Sequence, residues 1–268
     1  MDITKSISFI EQNGSEIEKA RLRYILYGVA AKPEILRPFI SLQNEDGGFP
    51  LNRVKGQTST INDSLNALWW MDDLGILHSP TSEKTIQYLI DTQLEDGGWD
   101  EDPNLSSEDL PEWIIPGELL TRHYLSAYST YWLAIMGYRT NPAFLLSLDF
   151  LDTHLHEGTL FQGYLHTTWM ASSVFLLSGE AFNEAAMIGV QTLLRQPNSR
   201  WKDSQLSWAL DCLGKAGLPK EHPFIQMGIQ ELTRRQSPDG SWSHEEGITS
   251  AVNGTIAALK VFKQYPPL

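Results

Sequence analysis

Apolar residues recur along this chain at spacings of three and four, interrupted at intervals by short polar segments tipped with glycine. That spacing puts the apolar positions on one face of a helix. It predicts helices in pairs. The first members run near 33–43, 82–93, 142–155, 183–195 and 223–236, the second near 59–74, 119–136, 164–177, 203–215 and 249–264. Two more, near 3–12 and 15–30, make a sixth pair. Pro near the start of several helices and Gly after others are the expected punctuation. The first members carry more charge. The second members are apolar on most faces and hold small residues such as Ala127, Ser129, Ala171, Ser172, Ala209, Gly254 and Ala258. A helix apolar all round is enclosed by protein, and small residues let its neighbours approach. The pattern therefore predicts an all-α protein, an inner and an outer layer of six helices each, closed into an α/α toroid (an α6/α6 barrel). An open superhelical solenoid is the rival architecture.

The interruptions are themselves related. Gln43-Asn-Glu-Asp-Gly-Gly-Phe49, Gln93-Leu-Glu-Asp-Gly-Gly-Trp99 and Gln236-Ser-Pro-Asp-Gly-Ser-Trp242 are versions of one turn, so the chain is a repeat of helix–turn–helix units. Phe161 and Trp201 read as the aromatics of two weakened copies. Glycine permits the positive φ of a tight turn, Asp bonds nearby backbone N–H groups, and the aromatic stacks on the next repeat. The gap from Trp99 to Phe161 is longer than the others, and the excess fits an irregular stretch at 103–116. A structureless insertion of that size is a candidate lid or binding loop. With no linker-like segment, one domain over 1–268 is expected.

Composition narrows the partners. Formal net charge is -13, which argues against nucleic acid, because phosphate binding needs a basic footprint. No stretch approaches the length needed to span a bilayer. The N-terminus lacks the apolar core of a secretory signal, and the expectation is a cytoplasmic protein. Cys212 is the sole cysteine, so no intrachain disulfide forms.

The pattern Gln-x2-Asp-Gly-Gly/Ser-Phe/Trp resembles the repeats of the squalene–hopene cyclase and protein prenyltransferase β-subunit superfamily. The resemblance covers most of the chain. It implies a toroid whose central cavity, lined by inner-helix aromatics, accepts an isoprenoid or another apolar small molecule. It also implies catalytic motifs that depart from the pattern here. A class II cyclase of that superfamily protonates an alkene from an Asp-x-Asp-Asp motif at the start of an inner helix. The nearest string here is Thr60-Ile-Asn-Asp63, with Asn62 at the proton donor's place. A protein prenyltransferase binds zinc through Asp, Cys two residues later, and a distant His. Asp203 matches, but Gln205 replaces the Cys, so no metal or cofactor is expected. Arg200 and Lys202 beside it are candidates to hold a diphosphate, or solvated surface charge.

Candidate acids are therefore sought elsewhere. Asp100 and Glu101, directly after Trp99, stand where a turn can aim them at the cavity mouth, with Asp63 a weaker candidate. His166 is a candidate general acid or base, or a core histidine. Candidate ligand-lining residues are Trp113 on the insertion, Arg122, His123, Tyr124 and Tyr128 on the second inner helix, Tyr164 and Trp169 on the third, and Trp208 on the fourth. Three functions fit this reading: a terpene-cyclase-like or prenyltransferase-like enzyme, a non-catalytic binding or scaffold toroid, and a carbohydrate-active α/α-toroid enzyme using paired carboxylates. The sequence leaves the oligomeric state open.

Overall fold

A computed structural model describes residues 1–105, 110–243 and 247–266. Twelve α-helices lie within them: α1 Ile3–Asn13, α2 Glu16–Tyr27, α3 Pro33–Ile40, α4 Ile61–Asp73, α5 Pro80–Asp91, α6 Leu119–Ile135, α7 Pro142–His156, α8 Leu165–Leu177, α9 Asn183–Leu194, α10 Asp203–Lys215, α11 Pro223–Arg235 and α12 Ile248–Gln264. The even-numbered helices pack in the order α2–α4–α6–α8–α10–α12 and back to α2. That cyclic order is the inner ring of a closed toroid. The odd-numbered helices lie outside, α5 across α4 and α6, α11 across α10 and α12, and α1 on α12. The predicted pairing is observed, with small shifts of boundary. Helix α4 begins at Ile61 rather than 59, because Ser59 and Thr60 pair with Phe49 and Pro50 as a two-residue antiparallel bridge.

Identical hydrogen bonds explain why the three good turns share a sequence. Gly48, Gly98 and Ser241 each donate their backbone N–H to the Asp two residues earlier. The Gln amide then clasps the first turn of the next outer helix. Gln43 Nε2 donates to the Thr81 carbonyl (2.8 Å), Gln93 Nε2 to the Ala143 carbonyl (2.8 Å), and Gln236 Nε2 to the Asp2 carbonyl (3.0 Å). The third clasp joins the last repeat to the first. Inner helices contribute hydroxyls: Ser64, Ser126 and Thr255 accept from the backbone N–H of Phe49, Trp99 and Trp242. Trp99 and Trp242 add an indole bond to the carbonyls of Leu89 and Leu232. Of the weaker turns, the fourth buries Trp201 as predicted, whereas in the third Leu160 is fully buried and Phe161 is only half-buried.

The first glycine of each good turn is required twice over. Gly47, Gly97 and Gly240 have φ of 90°, 90° and 92°, a left-handed conformation costly to other residues. A Cβ there would also meet the backbone of the neighbouring outer helix, at Lys84, Leu146 and Lys5 respectively. Gly97→Ala is therefore expected to cost about 2 kcal/mol or more, the left-handed penalty plus the clash. Chemical denaturation of the variant measures it, and a loss below ~0.5 kcal/mol would show that the turn yields.

The C-terminal ends of the inner helices are closed by an ionic layer. Lys260 Nζ lies 2.6 Å from both Asp72 Oδ2 and Asp73 Oδ1 and 3.1 Å from Asp211 Oδ2. Lys215 pairs with Asp72 and Asp211, and Arg21 with Asp73 at 2.8 Å. These residues come from α2, α4, α10 and α12, so the layer ties four inner helices across the axis.

Candidate functional site

The opposite end of the toroid carries most of the residues singled out from sequence. Glu101 enters from the stretch after Trp99 and caps α4: Oε2 accepts from the Ile61 N–H (2.9 Å) and Oε1 from the Asn62 N–H (2.8 Å). Its side chain is 4% exposed. Burial outweighs those two donors and pushes its carboxyl up to about 7. Asp100 accepts from Gly117 N–H and Glu101 N–H, pinning both ends of the insertion together. Desolvation raises its carboxyl above the ordinary value. Asp63 is bonded to Thr60 Oγ1 and to the Asn52 N–H, and burial raises it too. The three carboxylates share one corner, and each holds backbone in place.

Next to that corner lies a group of aromatic rings. Tyr124 donates its hydroxyl to Asn62 Oδ1 at 3.2 Å. Trp113 stacks parallel to His166 (5.8 Å between centroids) and meets Tyr124 edge-on at 4.8 Å. Tyr164 Oη donates to the Trp113 carbonyl at 2.7 Å, fixing the backbone at Trp113. Below, Trp208 contacts Tyr128, His166 and Trp169, and stacks on Trp69 at 4.8 Å. Among the described residues His166 has no hydrogen-bond partner, and desolvation lowers its imidazole to about 4. Among the described residues, Trp169 Nε1 is buried without a hydrogen-bond partner. These aromatic side chains touch one another in a continuous set from Trp113 to Trp69.

Two predicted residues lie away from this cluster. Arg122 pairs with Asp96 (2.6 Å) and covers the Phe150 ring. His123 packs against Phe150 and His154 of α7, on the outer side of α6, where desolvation lowers it to about 4. Arg200 and Lys202 line a cavity of about 470 Å³ with Arg234 and Arg235. There Asp203, the matched zinc ligand, is paired with Arg235 at 3.2 Å. Among the described residues, no group of three or more His, Cys, Asp or Glu is placed to hold a metal.

Trp69, Asn66 and Arg53 were not foreseen. With Arg21, Trp70, Ser204, Ser250 and Asn253 they line a cavity of about 250 Å³ that reaches the axis. The spacing Asn62, Asn66, Trp69, Asp73 on α4 held the signal, since it traces one helix face with a polar bias unusual in an apolar ring. Asn52 and Arg53 have φ of 53° and 56°, costing roughly 1–2 kcal/mol each. Nothing in the sequence around Arg53 announces that conformation.

No family model matches this sequence, and neither does any curated protein. Solved structures do match in fold. An arginine-to-alanine variant of type II terpene cyclase MstE from Scytonema, in complex with geranylgeranyl dihydroxybenzoate (substrate), superposes with a TM-score of 0.62 at 12% identity, covering 98% of this chain and 95% of that one. A protein from Actinoplanes gives 0.62 at 14% identity, covering 98% of both chains. An aspartate-to-alanine variant of MstE, in complex with merosterolic acid A (product), gives 0.59 at 11% identity over 98% and 95%. The chain shares the α/α-toroid fold of these structures, as its turns led one to expect. No helix among the described residues is long and apolar enough to cross a membrane.

Proposed function

We propose that this chain is a terpene-cyclase-like protein that takes up an isoprenoid, or another apolar small molecule, at the mouth of the toroid and starts its rearrangement by proton donation from Glu101. The observation that carries this reading is a buried carboxyl pushed up to about 7, one residue removed from a ring-lined axis. A carboxyl with that value holds its proton near neutrality, as a general acid requires. Once the proton leaves, the N–H groups of Ile61 and Asn62 receive the carboxylate charge. The faces of Trp113, Trp169, Trp208 and Tyr124 supply the electron-rich walls that a cationic intermediate needs. The Scytonema neighbour's geranylgeranyl-bearing substrate adds support for the ligand class. Trp113 acts as the lid, and its indole swings from His166 to admit the ligand.

Incubation with geranylgeranyl diphosphate or squalene, followed by mass spectrometry of the extract, tests the reading. A cyclised product supports it. Unchanged polyene, with no bound polyene in native mass spectra, overturns it. Trp113→Ala removes the lid and is expected to speed ligand association about 10-fold in stopped-flow fluorescence; an unaltered rate shows entry by another route.

A second reading rests on the same carboxyl. Both Glu101 oxygens already cap α4, a structural role that suits a binding toroid without chemistry. That protein would retain a polyene in native mass spectra and return it unconverted.

A further inference from the structure

We propose that the cavity of about 250 Å³ lined by Arg53, Asn66 and Trp69 is a binding site for a small organic anion received by Arg53. Three separate features of the protein support it. Arg53 sits in left-handed backbone (φ 56°) directly after a second left-handed residue, Asn52 (φ 53°). An extended side chain in that region is uncommon, and such strain collects where a side chain must be aimed for function.

The guanidinium, which lines both this cavity and a neighbouring apolar groove, feels the charges of Asp63 and Glu18 but is not spent on a hydrogen bond. It lies 4.4 Å from the Trp70 ring centroid and makes no hydrogen bond or ion pair among the described residues. Arg21 lines the same cavity and also lies over Trp70, at 4.5 Å, but it is taken up by Asp73 and Asn253. Contact with an aromatic face holds the fork flat while leaving its N–H donors free. A planar carboxylate or a phosphate accepts such donors in pairs.

The remaining wall is polar and mixed. Asn66 makes no hydrogen bond among the described residues, and Ser204, Ser250 and Asn253 bring further hydroxyl and amide groups. The carboxylates that favour the Arg53 charge, Asp63 and Glu18, hydrogen-bond elsewhere, with Thr60 and Asn52 and with Ser15 and Asn253. Trp69 supplies one apolar wall for the body of the ligand. The volume lies below the range typical of drug-sized ligands, so a small acid fits. This site stands whether or not the protein transforms a terpenoid, because its cation, cavity and strain involve neither Glu101 nor Trp113.

Calorimetric titration of the full chain with sodium benzoate and, separately, with inorganic phosphate tests the assignment. At least one anion is expected to bind at millimolar concentration or below. Benzoate alone identifies an organic carboxylate, phosphate alone a phosphate-bearing ligand, and both an oxyanion site indifferent to the body. Arg53→Gln is expected to weaken binding about 10-fold or more, and so is Asn66→Asp, which sets a like charge in the cavity. Thermal melts establish that each variant is folded, and either one suffices for the comparison. Absence of binding by both anions overturns the assignment, as does an affinity unchanged in a folded variant.

Discussion

Lys260→Met is expected to lower global stability by about 3–5 kcal/mol, the cost of removing one partner from a buried ion pair. The lysine is 13% exposed and within 3.1 Å of three carboxylates. Methionine replaces its volume but not its charge. Asp72, Asp73 and Asp211 would then share Lys215 and Arg21 in a site largely out of water. For a chain of this size each kcal/mol moves Tm by roughly 2–4 °C, so thermal melts resolve the effect easily. The pH dependence has a definite sign. Burial opposes the charge of Asp72, but Lys260 and Lys215 overcome it and hold its carboxyl well below the usual carboxylate range. Stability from a depressed carboxyl is present above its unfolded value of 3.8 and is lost as pH falls through the folded one. Wild type and variant should therefore differ fully at neutral pH and converge in acid. A neutral-pH drop of under about 1 kcal/mol would falsify the role given to this layer.

Glu101→Gln is the second large effect, and it has two readouts. If Glu101 donates the proton, turnover should fall by about 10²–10⁴-fold, the usual contribution of a positioned acid. Activity retained within a few-fold removes Glu101 as the donor. The second readout is stability against pH. The Glu101 carboxyl is raised from 4.5 to about 7 in the folded chain. Its contribution is complete below 4.5 and disappears as pH rises through 7, on the order of 3 kcal/mol in all. The wild-type Tm should thus decline across that window. The glutamine variant should be flat there and lower at acid pH, because its amide NH₂ faces a backbone donor. A wild-type profile without that decline would show that Glu101 stays ionised.

The ring of helices was legible because it is written several times. Each of the three good turns repeats Gln, Asp and Gly, and each does the same three things in space. Inner and outer layers followed from charge and residue size, which depend on local composition alone. The candidate site was legible only in part. Sequence position brought Tyr124, Tyr128, His166, Trp169 and Trp208 together, since each lies on an inner helix ahead of its last turns. It could not give rotation about the helix. Arg122 and His123 neighbour Tyr124 in sequence, yet they point at Phe150 and His154 on the outside. Nor could it foresee how the rings share space: which of them stack and which meet edge-on depends on rotamers that sequence position does not give. Arg53 escaped because its backbone conformation is imposed by tertiary contacts, among them the Asn52 bond to Asp63.

The clasp from Gln236 to Asp2 has a consequence for how the chain can be cut. Asp2 N–H donates to Gln236 Oε1 at 2.7 Å, and Gln236 Nε2 also reaches Ser6 Oγ at 2.9 Å, so this seam is fastened like the others. Helices α1 and α12 already lie side by side. A circularly permuted version, opened between Gly137 and Asn141 and bridged by a flexible peptide from Leu268 to Met1, should refold to the same ring. Topologically, the molecule is a wheel without a first spoke.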